Sequence, residues 1–270
     1  MEKGITEILE AIDKSRYVLI GIGEEFSAEN ADIEEYDLYK KFIEKKENEK
    51  AGAETDWIAA FLRNYYLKEK YRSGARDIRQ LDAYQVLFEK VKAKDYFVVT
   101  TNSDGLILHG GFDPGRVVSP CGNRELLQCR DKCCNKVWDA DSEEDRIIDA
   151  VRAEGTLISS LKKPGCPYCG GEAVMHTVKN ENYFEDAYLP QWEKYTKWLQ
   201  NTINRELCIL ELGVGFAFPT VIRWPFEKIA FINQKAHFFR VNSRLPQLTE
   251  ELAEKGVSIA ADPVEFIRNL

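Results

Sequence analysis

Two short cysteine pairs, Cys129 with Cys133 and Cys166 with Cys169, are the strongest chemical signal in this 270-residue chain. Pairs at this spacing close two chelate loops and can bring four thiolates to the corners of a tetrahedron, which is the chemistry of a structural zinc site. Cys134 is an alternative to Cys133 as the second ligand, since both spacings allow a chelate. The other candidate groups follow short apolar runs. Gly21 and Gly23 close the run Tyr17–Ile20, the string TTNSDG follows Tyr96–Val99, and Gly213-Val214-Gly215 follows Cys208–Leu212. In a parallel sheet such glycine-rich and polar strand ends are where a ligand is held.

The elements that must position these groups alternate. Ile5, Ile8, Leu9 and Ile12 are spaced as one helix face ahead of the first apolar run, and residues 57–71 and 81–91 show the same period. Strands are expected at 17–20, 96–99, 116–118, 208–212 and 230–232, with a charged helix between the cysteine pairs and another through DAYLPQWEKYTKWLQNTIN. Pro219 opens the helix before the run Ala230–Ile232, and the proline of IRWPFEKI should end or kink it. The fold class expected is α/β, a Rossmann-like doubly wound parallel sheet carrying a small inserted zinc-binding module. Its parts run over 1–127, 128–174 (the metal module) and 175–270.

Composition narrows the partners. With 44% hydrophobic residues the chain can bury a substantial core, and a net charge of -8 argues against a phosphate-binding surface for nucleic acid. No apolar run approaches the roughly 20 residues of a membrane span, and the N-terminal residues lack the apolar core of a signal peptide. A soluble cytoplasmic protein is expected, where paired cysteines are more often metal ligands than disulfides.

Taken in order, TTNSDGLILHGGF, the cysteine pairs, LELGVGFAFPTVIRWPF and AFINQ resemble a sirtuin from about residue 15 onward. The spacing in QCRDKC, the string YFED, and LELGVGF and IRWPF are most similar to the bacterial class encoded beside macrodomain proteins. That resemblance implies an NAD-binding Rossmann-like domain, a zinc module, and ADP-ribosyl transfer to a protein acceptor, a lipoyl-carrier protein in that class. It implies that Asn102 and Asp104 place the nicotinamide end of NAD, that Gly213 and Gly215 approach the dinucleotide backbone, and that Asn233 contacts the adenosine ribose. A side-chain amide and a carboxylate at a strand end can hold a carboxamide and order a hydroxyl near a developing oxocarbenium carbon.

The chain departs from the family at two places. Aligning Ser27 with the serine of the phosphate loop puts Glu24 and Glu25 where the family has small residues, after Gly21 and Gly23. Two like charges about 4 Å apart at an effective dielectric of 20 cost on the order of 4 kcal/mol, about three powers of ten in affinity. Residues 24–37 contain seven carboxylates and no Lys or Arg, so an acidic, solvated loop with both glutamates turned away is the alternative. Cys121, before Gly122, stands where sirtuin deacylases have a catalytic histidine. A thiol acts as base or nucleophile only with a lowered pKa, so histidine-based deacetylation is not expected. The competing function is a non-catalytic sirtuin-fold binding module that has lost NAD. Arg223 could face the ligand or an acidic neighbour.

Overall fold

The computed structural model describes residues 2–28, 33–73 and 78–270. In chain order the elements are α1 (Glu2–Lys14), β1 (Tyr17–Ile22), α2 (Asp37–Glu49), α3 (Trp57–Arg72), α4 (Arg79–Val91), β2 (Asp95–Thr100), α5 (Leu106–His109) and β3 (Val117–Val118). They continue with β4 (Gly122–Cys129), β5 (Val137–Asp139), α6 (Asp141–Arg152), β6 (Ala173–Thr177), α7 (Leu189–Gln200), β7 (Leu207–Leu212), α8 (Arg223–Ile232), β8 (Ala236–Val241), β9 (Gly256–Ile259) and α9 (Pro263–Arg268). Part of the acidic stretch, 29–32, lies outside the described residues. Among the described residues no helix is long and apolar enough to cross a membrane.

The chain packs as two units. The first contains Met1–Ala28, Arg79–Gly122 and Tyr188–Leu270. Its six-stranded sheet has the order β3-β2-β1-β7-β8-β9, with each neighbouring pair parallel. β1 is buried along its whole length because it lies mid-sheet, with Ile20 level with Val98 on one side and Leu210 on the other. Such a strand must be apolar on both faces, hence the unbroken run YVLIGI. Leu19, Phe97, Val99, Leu207 and Ile209 pack with Tyr195 and Trp198 of α7 and Phe226 and Ala230 of α8. The strand order reverses between β1 and β7, so a crevice is expected beyond their carboxyl ends.

The second unit contains Glu29–Ile78 and Asn123–Ala187. It has a three-stranded sheet, β5-β4-β6, and a core in which Leu38 and Phe42 of α2 and Phe61 and Leu62 of α3 meet Leu127, Ile147, Ile148 and Val151. This differs from the boundaries 128–174, because the cysteine stretch takes its apolar cover from α2 and α3. Three short strands and one helix offer too little apolar surface to form a core of their own. Lys68 of α3 is buried between Asp141 (2.6 Å) and Glu144 (2.7 Å) at the start of α6, which ties the two sequence segments together.

One expected strand is a helix. Ala230–Ile232 closes α8, in which Phe226 and Ala230 share the buried face, and Pro225 falls in the first turn, where its missing N–H costs nothing. The strand beside β7 is instead β8, AHFFRV, whose pattern is masked by His237 and by an arginine, Arg240, that is fully buried. Arg240 is paired to Glu211 through Nε (2.6 Å) and Nη2 (3.0 Å), and to Glu227 through Nη2 (2.7 Å). Arg240→Met leaves Glu211 buried without its principal partner and should lower stability by about 3–5 kcal/mol. The double change Glu211→Leu, Arg240→Met should recover most of that loss. Urea unfolding measures both, and a single variant as stable as the parent would show that the pair carries no such weight.

Candidate functional site at the strand ends and the cysteine cluster

The carboxyl ends of β1, β2, β7 and β8 are joined beyond the sheet by backbone bonds. Gly23 N donates to Leu212 O (2.9 Å), Thr101 N to Ile22 O (3.0 Å) and Gly213 N to Val241 O (2.8 Å). Gly213 has φ +63, and at Gly23 a Cβ would stand 2.3 Å from Val214 Cα, so the two turns can approach this closely only as glycine. Gly21 has a different role: a Cβ there would stand 2.5 Å from Ile222 Cγ2, so it is needed for packing under α8.

Ser27 and Asp104 are brought together. Asp104 Oδ2 accepts from Ala28 N (2.8 Å) and Ser27 Oγ (3.4 Å), and Oδ1 accepts from Leu106 N (3.0 Å). Asn102 is buried to the same extent as Asp104, 7% exposed, and its Nδ2 makes no hydrogen bond of normal geometry among the described residues. Tyr84 of α4 stands beside it, its ring tilted at 46° to that of Phe26 with centroids 4.9 Å apart, and its hydroxyl faces the Asn102 amide. Burial, with the charge of Asp104 adding to it and the Asn102 amide opposing, pushes the Tyr84 phenol well above its ordinary pKa, so it stays protonated.

The two glutamates are placed differently. Glu25 is clasped by the far loop, accepting from Ser243 N (2.9 Å) and Ser243 Oγ (2.6 Å), with Arg244 Nε at 3.8 Å. Glu24 lies across Gly215, its Oε1 only 1.8 Å from the point where a Cβ would stand. The loop amides are largely spent inside the chain: Glu25 N on Gly213 O, Phe26 N on Gly23 O, Ser27 N on Glu24 O and Ala28 N on Asp104. As it stands, this loop does not present a row of free N–H groups to a pyrophosphate, whereas Asn102 fits a ligand that brings a hydrogen-bond acceptor.

Asn233 is not at this end of the sheet. It caps α8 just before β8 begins, and its amide donates to Thr202 O (3.1 Å) and Arg205 O (3.2 Å), at the strands' amino ends. The misplaced strand at 230–232 carried the asparagine with it. The residue that follows the true strand is Asn242, whose Nδ2 donates to Val214 O (3.1 Å) and whose Oδ1 accepts from Leu245 N (2.6 Å). An Asn directly after a six-residue run ending in Val241 was the available signal. Arg223 is buried, donating to Val214 O (2.9 Å) and Leu245 O (3.1 Å), with Glu211 at 3.7 Å. It therefore supports the glycine turn from within. Cys121 is buried in the turn in which Gly122 N donates to Ser119 O (3.0 Å). His109 closes the short helix α5.

In the second unit the four paired cysteines converge, all within 4.8 Å of one another. The Cys129–Cys169 and Cys133–Cys166 sulfur distances are 3.7 and 3.6 Å. A tetrahedron with metal–sulfur bonds of about 2.3 Å has edges of about 3.8 Å, so the four thiols fit one zinc ion. Cys133 is the member of the group, and Cys134 stands outside it with its sulfur 3.8 Å from that of Cys133. The backbone N–H of Cys133, the largest of several hydrogen bonds, holds the Cys129 thiol down at about 7, towards the thiolate a metal needs. Beneath the cluster Gln128 Oε1 meets His176 Nδ1 at 2.7 Å, and burial lowers His176 to about 4, so the ring is neutral.

No protein-family model matches the chain. By sequence it is similar to a protein ADP-ribosyltransferase of Staphylococcus aureus (strain Mu50 / ATCC 700699), 25% identical over 266 residues that span 93% of this chain and 82% of that protein. It is also similar to a probable bifunctional ADP-ribose hydrolase/ADP-ribosyltransferase of Fusarium oxysporum f. sp. cubense, 32% identical over 155 residues, 54% of this chain and 26% of that protein. Among solved structures it matches one described under "Structural Basis for the Mechanism and Regulation of Sir2 Enzymes" with a TM-score of 0.55 and 16% identity, covering 100% of this chain and 96% of that one. Another, "Sir2-p53 peptide-NAD+", matches with a TM-score of 0.53 and 16% identity over 98% of this chain and 96% of that one. The fold is that of the sirtuins, with a four-cysteine cluster able to hold zinc. By sequence the chain is similar to proteins named for ADP-ribosyl transfer.

The metal geometry makes a direct prediction. Elemental analysis should find one zinc per chain in the parent and in Cys134→Ser, and less than a tenth of that in Cys133→Ser. Zinc retained by Cys133→Ser but lost by Cys134→Ser would reverse the ligand assignment.

Proposed function

We propose that this chain is an NAD-dependent protein ADP-ribosyltransferase, with zinc on Cys129, Cys133, Cys166 and Cys169 in a structural role. The observation that carries the reading is the buried Asn102 amide, whose nitrogen meets no acceptor in normal hydrogen-bond geometry among the described residues, beside the Asp104–Ser27 contact at the strand ends of a sirtuin fold. Both sequence relatives are named for ADP-ribosyl transfer, which supports the reaction class. NAD, when bound, supplies an electrophilic ribose carbon and nicotinamide as the leaving group.

In this reading Asn102 donates to the ligand, and Asp104 holds the loop at Ser27 and Ala28 in place. Gly213 and Gly215 allow a close backbone approach, and Asn242 takes the strand-end position assigned by resemblance to Asn233. The acceptor is a protein nucleophile, and the resemblance to the macrodomain-linked class points to a lipoyl-carrier protein. Cys121, buried in its turn, serves packing rather than proton transfer. A second reading, a sirtuin-fold binding module without NAD, is favoured by one observation: Glu24 lies across Gly215 above a loop whose amides are mostly satisfied within the chain.

Calorimetric titration of the zinc-loaded chain with NAD and with ADP-ribose separates the two. The transferase reading expects NAD to bind the parent, and Glu24→Ala to tighten it by one to two powers of ten, about 1.4–2.8 kcal/mol. Glu25→Gly should change affinity less, because Ser243 and Arg244 already engage that carboxylate. No binding by the parent, with binding restored in the Glu24→Ala, Glu25→Gly double variant, would favour the second reading. No binding by any of these chains would sink the NAD reading altogether.

A further inference from the structure

A groove of about 500 Å³ runs between α7 and α8 in the first unit, away from the strand ends. Each helix packs on the sheet, through Tyr195 and Trp198 on α7 and Phe226 and Ala230 on α8. The edge of that packing face also lines the groove, with Trp192, Tyr195, Thr196 and Leu199 on α7 and Pro225, Lys228, Ile229 and Ile232 on α8, each set spaced i, i+3, i+4, i+7. Ile232 and Ile203, at its border, are 61% and 64% exposed. Scattered exposed apolar residues are ordinary, but a concave run of them marks a binding surface.

Charge indicates what would fill it. Lys228 is the only charged residue lining the groove, and it has no ion pair or hydrogen bond among the described residues. Several of the other polar groups there are already used: the Thr196 hydroxyl donates to Trp192 O, that of Thr202 to Leu199 O, and the Asn233 amide to Thr202 O and Arg205 O. Ligand sites are about 300–1,000 Å³, mostly apolar, with a few placed polar groups that fix orientation. One unpaired, exposed ammonium on the α8 side of an apolar groove suits one carboxylate on an apolar tail.

We propose that the α7–α8 groove is a binding site for an amphipathic monocarboxylate of the medium-chain fatty-acid type. The tail lies between the Trp192–Leu199 and Pro225–Ile232 stripes, and the carboxylate meets Lys228. This site is independent of the strand-end chemistry.

Titration of the full zinc-loaded chain with decanoate and with 1-decanol, both below their aggregation limits, tests it. The readouts are the Trp192 indole and the Ile203 and Ile232 methyl resonances. Decanoate should move all three and bind at least tenfold more tightly than decanol. Lys228→Met should bring decanoate to the affinity of decanol, and Ile232→Asp should abolish both. Unmoved resonances, or equal affinity of the parent for acid and alcohol, would overturn the proposal. Sedimentation showing that a second copy of the chain, or an amphipathic peptide, covers this face in preference to decanoate would also overturn it. Lys228 is exposed and unpaired, so thermal unfolding of Lys228→Met should match the parent and rule out misfolding as the cause.

Discussion

Arg240 lies on β8, between β7 and the edge strand β9, with no exposed surface, held by both oxygens of Glu211 on β7 and by Glu227. Two charges in such a place cost several kcal/mol each in lost hydration and persist only when nearly every donor and acceptor is used. Here they are. Arg240 Nη1 donates to Gln247 O (2.6 Å), while Arg223 donates to Val214 O and Leu245 O. The network thus fastens β7 to β8, and it fastens the loop after β8 to the glycine turn after β7. The glycine turn cannot move independently of the ion pair beneath it.

That rigidity explains why the two glutamates of the β1 loop end up in different places. Val214 O is held by Arg223 and Asn242, so Gly213 and Gly215 present a fixed notch. Glu25 reaches past it to Ser243, a residue positioned by the same network, and becomes part of the framework. Glu24 has no such clasp: its carboxylate lies in the space that Gly215 leaves open, where it also feels the charge of Arg223. Like charges on one loop are thus separated, one bound and one resting over the glycine turn. Displacing Glu24 breaks no hydrogen bond to Ser243, whereas displacing Glu25 breaks two.

Much of the fold could be read from residue pattern because its central strands are buried on both faces and must be apolar throughout, as in YVLIGI and LCILEL. The cysteine cluster was readable for a related reason: thiolate spacing is dictated by one small ion. What escaped reading were elements decided by distant partners. β8 carries Arg240, a residue that is stable in a strand interior only because Glu211 and Glu227 are there to meet it, and no local pattern announces that. The apolar triplet Ala230–Ile232 has the local pattern of such a strand but closes α8, so Asn233 lies at the amino end of the sheet. The second unit likewise draws α2 and α3 from far upstream, because the cysteine stretch cannot cover itself.

Asp104 and Asn102, two residues apart, bear differently on function. Asp104 is fully accounted for by architecture, since its oxygens hold Ser27, Ala28 and Leu106 in place, and a chain with no ligand at all would keep it for that purpose. Asn102 is not. Its amide nitrogen is buried and meets only the Tyr84 hydroxyl, outside normal hydrogen-bond geometry, and a buried donor without a good acceptor costs about 1–3 kcal/mol. Leucine or threonine at 102 would avoid that cost in a purely structural protein. Buried donors that a fold leaves unsatisfied concentrate at sites where a ligand completes them. Of the two residues, Asn102 is therefore the one whose placement the fold alone explains less well, and the proposed ligand contact rests on it more than on Asp104.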